Sequence, residues 1–185
     1  LLVERFGGVE NTLERLDGLF TADTKMEGED VTPDISGLIG QYVHGNEPSH
    51  HIIYFYTMLG EPWKAADRLY EVMATMYSTE PDGLSGNEDV GQMSAWYVMT
   101  TLGFYPVEPA SGKYVLGVPM VDGAEIDVEG GIFRVERLGY SEANRYVQSV
   151  ELNGVALDRN YITHEEVIAG GLLKFNMGAE KSVWY

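Results

Sequence analysis

Two short stretches concentrate the residues able to do polar chemistry. One is His44-Gly45-Asn46-Glu47-Pro48-Ser49-His50-His51, the other Gly86-Asn87-Glu88-Asp89-Val90-Gly91-Gln92-Met93-Ser94-Ala95-Trp96. Each packs carboxylates, amides and glycines into a tight loop and then runs into an apolar stretch that reads as helix. Loops of this make suit a polar ligand, a metal or an attacking water, so an enzyme is the leading reading. Glu47 and Asp89 fall within a residue or two of an expected helix N-terminus. Free N–H groups and the helix dipole there favour the ionised carboxylate. An anionic carboxylate suits metal binding or a general base. It suits a general acid poorly, because that group must hold a proton near neutral pH. The proton donor is harder to find.

Plainer roles compete at every position. Asp89 and Asn87 equally well cap the helix that follows them, and Glu47 serves as a first-turn acid on its helix dipole. His44, His50, His51 and His164 read as structural histidines when taken singly; the adjacent His50 and His51 project from different sides of a helix and cannot face one metal. A zinc site is disfavoured, with no Cys and no His-x-x-x-His spacing. A hard, oxygen-ligated cation such as calcium is compatible with the amide- and carboxylate-rich loops, although no EF-hand pattern is present. Gly86 and Gly91 lack the following Lys-Ser/Thr of a phosphate loop. The acids Glu27, Glu29 and Asp30 read as solvated loop.

The elements that must position these residues change in texture near Pro106 to Pro109. Before that point the chain reads helical. Leu13, Leu16, Leu19 and Phe20 fall at helical spacing behind Asn11 or Thr12 as N-cap. Ser49 to Leu59 reads as a helix packed on most sides, with Pro48 at its first position. Trp63 to Tyr77 and Gln92 to Leu102 follow as helices, the latter ending at Gly103. After Pro109 short strands are expected at Lys113 to Leu116, Ala124 to Val128, Ile132 to Arg137, Tyr146 to Leu152, Tyr161 to Thr163 and Leu172 to Asn176. Asn153-Gly154 is a strong hairpin signal. The fold class expected is α+β, helices followed by an antiparallel β module, divided as 1–106 and 107–185.

Composition limits the partners. With 185 residues, 44% apolar, the chain can bury a real core. Its net charge of −17, from 29 acids against 12 bases, argues against nucleic acid and an anionic membrane surface, both of which need clustered Lys and Arg. A neutral sugar or a cation is easier to accommodate. No apolar run approaches the roughly 20 residues of a membrane span. Leu1 to Gly8 reads as the end of a helix running into a glycine stop, and the chain opens without Met, so a longer parent is expected.

The run from Pro33-Asp34-Ile35-Ser36-Gly37 through Gln41-Tyr42-Val43-His44-Gly45-Asn46-Glu47-Pro48-Ser49-His50-His51 closely resembles the glycoside hydrolase family 92 α-mannosidases. The second cluster, continued through Gly103-Phe104-Tyr105-Pro106-Val107, is similar to another signature block of that family. Ser141-x-x-Asn144-x-Tyr146-Val147-Gln148-Ser149, Leu152-Asn153-Gly154 and Gly170-Gly171-x-Leu173 resemble its closing β segment. The resemblance implies an exo-acting, inverting, calcium-dependent enzyme acting on terminal α-linked mannose of glycans, with an (α/α)6 barrel beside a β-sandwich. On it, Asp89 matches the catalytic base and Asn87 falls where many members place a second Asp. Asn46 and Glu47 match the calcium and sugar-binding loop, and His44, His50 and Glu88 join Glu47 around the substrate. The family's general acid lies in a Glu-Gly-Asn block, which this sequence lacks. The chain then reads as the C-terminal portion of a larger, exported (secreted or periplasmic) enzyme, inactive by itself and missing its N-terminal part. Two rivals remain. One is a carbohydrate-binding module using exposed Tyr140, Tyr146 or Trp184; the other is a different helical-barrel glycosidase or lyase, which the scarcity of Lys and Arg disfavours for an acidic polysaccharide.

Overall fold

The computed structural model describes residues 1–25 and 35–185. The acidic loop at 27–30, and Pro33 and Asp34 of the first motif, lie outside the described residues. Among the described residues the chain is mixed α+β, with six α-helices and three sheets. No helix among them is long and apolar enough to cross a membrane. The chain divides into two units, Leu1–His50 with Glu71–Ala95, and His51–Tyr70 with Trp96–Tyr185.

The first unit opens with α1 (Leu2–Arg5) and α2 (Val9–Thr21). Gly7 and Gly8, at φ +82° and +125°, turn the chain between them. That turn starts α2 earlier than the Asn11 or Thr12 cap expected from sequence. Both side chains lie inside the helix and bond back one turn, Thr12 Oγ1 to the Gly8 carbonyl at 2.7 Å and Asn11 Nδ2 to Gly7 at 3.4 Å. A two-stranded hairpin, β1 (Leu38–Ile39) with β2 (Tyr42–Val43), leads into the first motif.

The helix expected from Ser49 to Leu59 is broken. Glu47–Ser49 forms a 3-10 turn, and α3 proper covers only Tyr54–Met58. The N–H groups of Ser49, His50, Tyr54, Phe55 and Tyr56 all bond three residues back rather than four. Pro48 and the β-branched pair Ile52-Ile53 make an α-helix less favourable here. Then α4 runs from Pro62 to Thr75 and α5 from Gln92 to Thr101, each shared between the two units. Gly103, at φ +89°, follows α5.

The second unit carries the other two sheets. β3 (Phe104–Tyr105), β4 (Lys113–Leu116) and β9 (Tyr161–Thr163) pair antiparallel. A five-stranded sheet runs β5 (Gly123–Val128), β6 (Gly131–Leu138), β10 (Gly171–Gly178), β7 (Tyr146–Leu152), β8 (Val155–Ala156). It is not wholly antiparallel: β10 inserts between β6 and β7 and runs parallel to β6. The long crossover that a parallel neighbour requires includes α6 (His164–Ile168). That helix is fixed by a capping box between Thr163 and Glu166. Asn153 and Gly154, at φ +53° and +80°, close the β7–β8 hairpin as expected. The register slips between Asn176 and Met177, leaving Gln148 of β7 without an opposite residue. This bulge moves the buried set of β7 from Val147 to Val150 and Leu152.

Phe133, Val135, Val150, Leu173 and Phe175 are fully buried on this sheet. Within the same unit, Asp67 of α4 accepts from Tyr146 Oη at 3.0 Å and lies 3.7 Å from both Arg145 and Lys181. The Arg137 guanidinium covers the Tyr140 ring at 3.8 Å, and Trp184 is buried. Removing the central ring with Phe175→Ala should lower unfolding free energy by about 3–5 kcal/mol. A urea-denaturation loss under 1 kcal/mol would contradict this placement of the core.

Candidate active site

The site is assembled inside the first unit from the two sequence motifs and Ser36. Gly45 sits where a side chain has no room: an added Cβ would strike the Ser36 hydroxyl and lie 2.9 Å from the Ser36 carbonyl and 3.0 Å from that of Ser85. At Gly86, φ +77°, a Cβ would lie 2.9 Å from Ser36 Oγ and 3.0 Å from the Gly45 carbonyl. The two loops therefore touch backbone to backbone. Hydrogen bonds from His44 N to Gly37 O (2.9 Å) and Gly45 N to Ser36 O (3.0 Å) fix the first loop.

Beside this contact lies a partly buried polar chain. Tyr77 Oη donates to the Met93 carbonyl at 3.2 Å. Having one proton, it must accept from His44 Nε2, 2.7 Å away. His44 Nδ1 then accepts from Tyr42 Oη at 2.9 Å. His50 Nε2 donates to the His44 carbonyl at 3.0 Å, and its Nδ1 accepts from Gln92 Nε2 at 3.2 Å. Both imidazoles are thus held neutral, as Nε2–H tautomers. Each is 0% exposed. His44 and His50, expected around the substrate, instead have all four ring nitrogens in hydrogen bonds within the chain.

The second loop is strained. Asp89 and Val90 occupy the left-handed region at φ +50° and +58°, followed by Gly91 at φ +94°. A β-branched residue resists that region, at about 1–3 kcal/mol, and Val90 gains no burial there, being 108% exposed. The N–H groups of Gln92, Met93, Ser94 and Ala95 bond to the Asp89 carbonyl (3.2 Å), the Glu88 carbonyl (3.3 Å), Glu88 Oε1 (3.2 Å) and the Gly91 carbonyl (2.8 Å). The Glu88 carboxylate caps α5 at the Ser94 N–H. Asp89 and Glu88 are half-buried and Asn87 is exposed.

For a cation, the loops offer oxygen donors. Asn46 and Glu47 are half-exposed, and Ser36 Oγ, against both glycines, is buried without a hydrogen-bond partner. These are the hard oxygens calcium takes, about 6–8 in a full shell. No group of three or more His, Cys, Asp or Glu side chains clusters for a metal among the described residues. The residues present therefore fit one flank of such an ion in kind. The 3-10 turn at Glu47 also removes the long helix expected behind that carboxylate.

Residues 1–179 match the glycosyl hydrolase family 92 catalytic domain. The chain belongs to that family. It superposes with TM-score 0.86 and 38% identity on a family 92 α-mannosidase from Bacteroides thetaiotaomicron in complex with mannoimidazole, covering 94% of this chain and 23% of that one. A second structure from that organism, a family 92 inverting mannosidase, gives TM-score 0.78 and 35% identity over 96% of this chain and 25% of its own. An uncharacterized secreted glycosidase of Arthroderma benhamiae is 31% identical over 144 residues, 76% of this chain and 19% of the relative. The chain thus spans about a quarter of the length of these structures, and less of the curated relative.

Sequence reasoning found both loops but missed Tyr77, Tyr42 and Ser36, which nothing in their spacing marks as polar partners. It also set Gln92 and Met93 down as ordinary helix residues.

Two outcomes follow. Val90→Asn, a residue that tolerates the left-handed region, should raise unfolding free energy by roughly 1 kcal/mol; urea unfolding checks this, and a loss would contradict the strain. Burial first, then neighbouring His50, lowers the His44 pKa from 6.5 to about 3. The unfolded chain binds a proton that the folded one refuses between those values. Stability from this group is therefore complete above pH 6.5 and declines as pH falls towards 3, by at most about 1.4 kcal/mol per pH unit. Urea midpoints of wild type and His44→Gln across that range should show a shallower decline in the variant; equal slopes would contradict it.

Proposed function

We propose that the chain contributes the base and the calcium-binding loop of an exo-acting, inverting α-mannosidase that removes terminal α-linked mannose from glycans. The observation that carries this reading is the Asp89 loop, which places a carboxylate on left-handed backbone just ahead of α5. Strain of this kind collects at functional sites. In the reaction, Asp89 takes a proton from a water whose oxygen bonds to the anomeric carbon as the glycosidic C–O bond breaks. A carboxylic acid about 6.5–9.5 Å from the base gives its proton to the leaving oxygen. We assign that acid to a residue outside these 185, since the relatives are about four times longer. Asn87 assists beside the base, and Glu47 and Glu88 meet the sugar.

Asn46 and Glu47 would hold a calcium ion, which when bound supplies electrostatic polarisation of the sugar hydroxyls. On this reading residues 1–106 form part of an (α/α) catalytic barrel and 107–185 a β-sandwich-type module, of a secreted or periplasmic protein. A separate carbohydrate-binding module built on Tyr140, Tyr146 and Trp184 has less support: Trp184 is buried, Arg137 covers Tyr140, and Tyr146 bonds to Asp67.

Asp89→Asn in the whole protein should lower mannose release about 10²–10⁴-fold while leaving the calcium-induced rise in melting temperature in place. The 185 residues alone should release none. Undiminished turnover by the variant, or calcium-dependent release by the isolated chain, would overturn the assignment.

A further inference from the structure

We infer that His44, His50, Tyr77 and Gln92 form a positioning bridge that fixes the Asn46–Glu47 loop against the segment carrying Asp89. The inference rests on the function proposed above and assigns these four residues a task distinct from touching substrate.

The bridge has two spans and a brace. One span runs from His44 Nε2 through Tyr77 Oη to the Met93 carbonyl, at 2.7 and 3.2 Å. The other joins His50 Nδ1 to Gln92 Nε2 at 3.2 Å. The brace is the bond from His50 Nε2 to the His44 carbonyl at 3.0 Å, which ties the two ends of the first loop around Asn46 and Glu47. The His44 and His50 rings pack against each other with centroids 4.8 Å apart. Both spans land on residues 92 and 93, within four positions of Asp89. Every link uses a directional donor and acceptor; the brace is buried and the two spans are partly so, where an unmade bond is disfavoured. A purely apolar contact would hold the loops together without fixing their spacing. An inverting site needs that spacing fixed, because the base must meet a water beside a sugar held by the other loop.

The test uses the whole protein and compares Tyr77→Phe, Gln92→Leu and their double variant with Tyr54→Phe. Tyr54 Oη also makes a buried bond, to Thr100 Oγ1 at 2.9 Å, and that bond involves neither the Asn46–Glu47 loop nor residues 89–93. kcat, KM and melting temperature with and without added calcium are measured for each. Tyr77→Phe and Gln92→Leu should each lower kcat about tenfold or more, and should shrink the calcium-induced rise in melting temperature. The double variant should lose less than the product of the two. Tyr54→Phe should keep kcat within about twofold and the full calcium response, while melting lower. If Gln92→Leu does not fold, Tyr77→Phe, which removes one oxygen, decides alone. Near-wild-type kcat and calcium response in Tyr77→Phe, or equal losses in Tyr54→Phe, would overturn the bridge. If Asp89→Asn is then inactive, the function assignment survives that failure. A wild-type protein that releases no mannose would sink both.

Discussion

The backbone contact between Gly45, Ser36 and Gly86 is the constraint on which the site depends. Two loops far apart in sequence meet backbone to backbone with only the Ser36 hydroxyl against them, and a methyl group at Gly45 would already collide. That closeness brings the His44 ring within reach of Tyr77, and His50 within reach of Gln92. The glycines are required here for space. Gly45 does not have a positive φ, so its need for a bare α-carbon comes from packing alone. A single added carbon at this point would be felt through the whole polar chain beside it.

The electrostatics follow from that packing. In a protein with net charge −17, the two buried imidazoles of the site are kept neutral and serve as fixed donors and acceptors. The carboxylates stay at the rim: Glu47, Glu88 and Asp89 are each partly solvated. Such a division keeps charge where water and a polar ligand can meet it, and uses uncharged hydrogen bonds where burial would penalise an ion. The backbone strain at Asp89 and Val90 belongs to the same economy. It is tolerated because the Glu88 carboxylate and the carbonyls of residues 88, 89 and 91 satisfy the start of α5.

Much of this was legible in the sequence, for identifiable reasons. The strands at 113–116, 146–152 and 161–163 have the bounds expected, because alternation and β-branched content mark them and Asn153-Gly154 sets the hairpin. The parallel β6–β10 pair was hidden, since strand direction depends on which neighbour a strand joins and not on its own residues. The capping box at Thr163 and Glu166 was readable as Thr-x-x-Glu, although no helix is expected between the strand at 161–163 and that at 172–176. The break before α3 arises from three-residue backbone bonding that an all-apolar run does not reveal. Both motif loops were plain; their partners were not. Tyr77 and Tyr42 look like ordinary core tyrosines until the fold places their hydroxyls against His44.

An experimental structure of the whole protein with calcium and a mannose-shaped inhibitor tests the central claim most directly. The account predicts a cation with a Glu47 oxygen at about 2.3–2.6 Å, an ordered water within hydrogen-bond reach of Asp89, and His44 and His50 still buried behind both. An Asp89 carboxylate bound only to its own backbone, with sugar and cation held elsewhere, would contradict it.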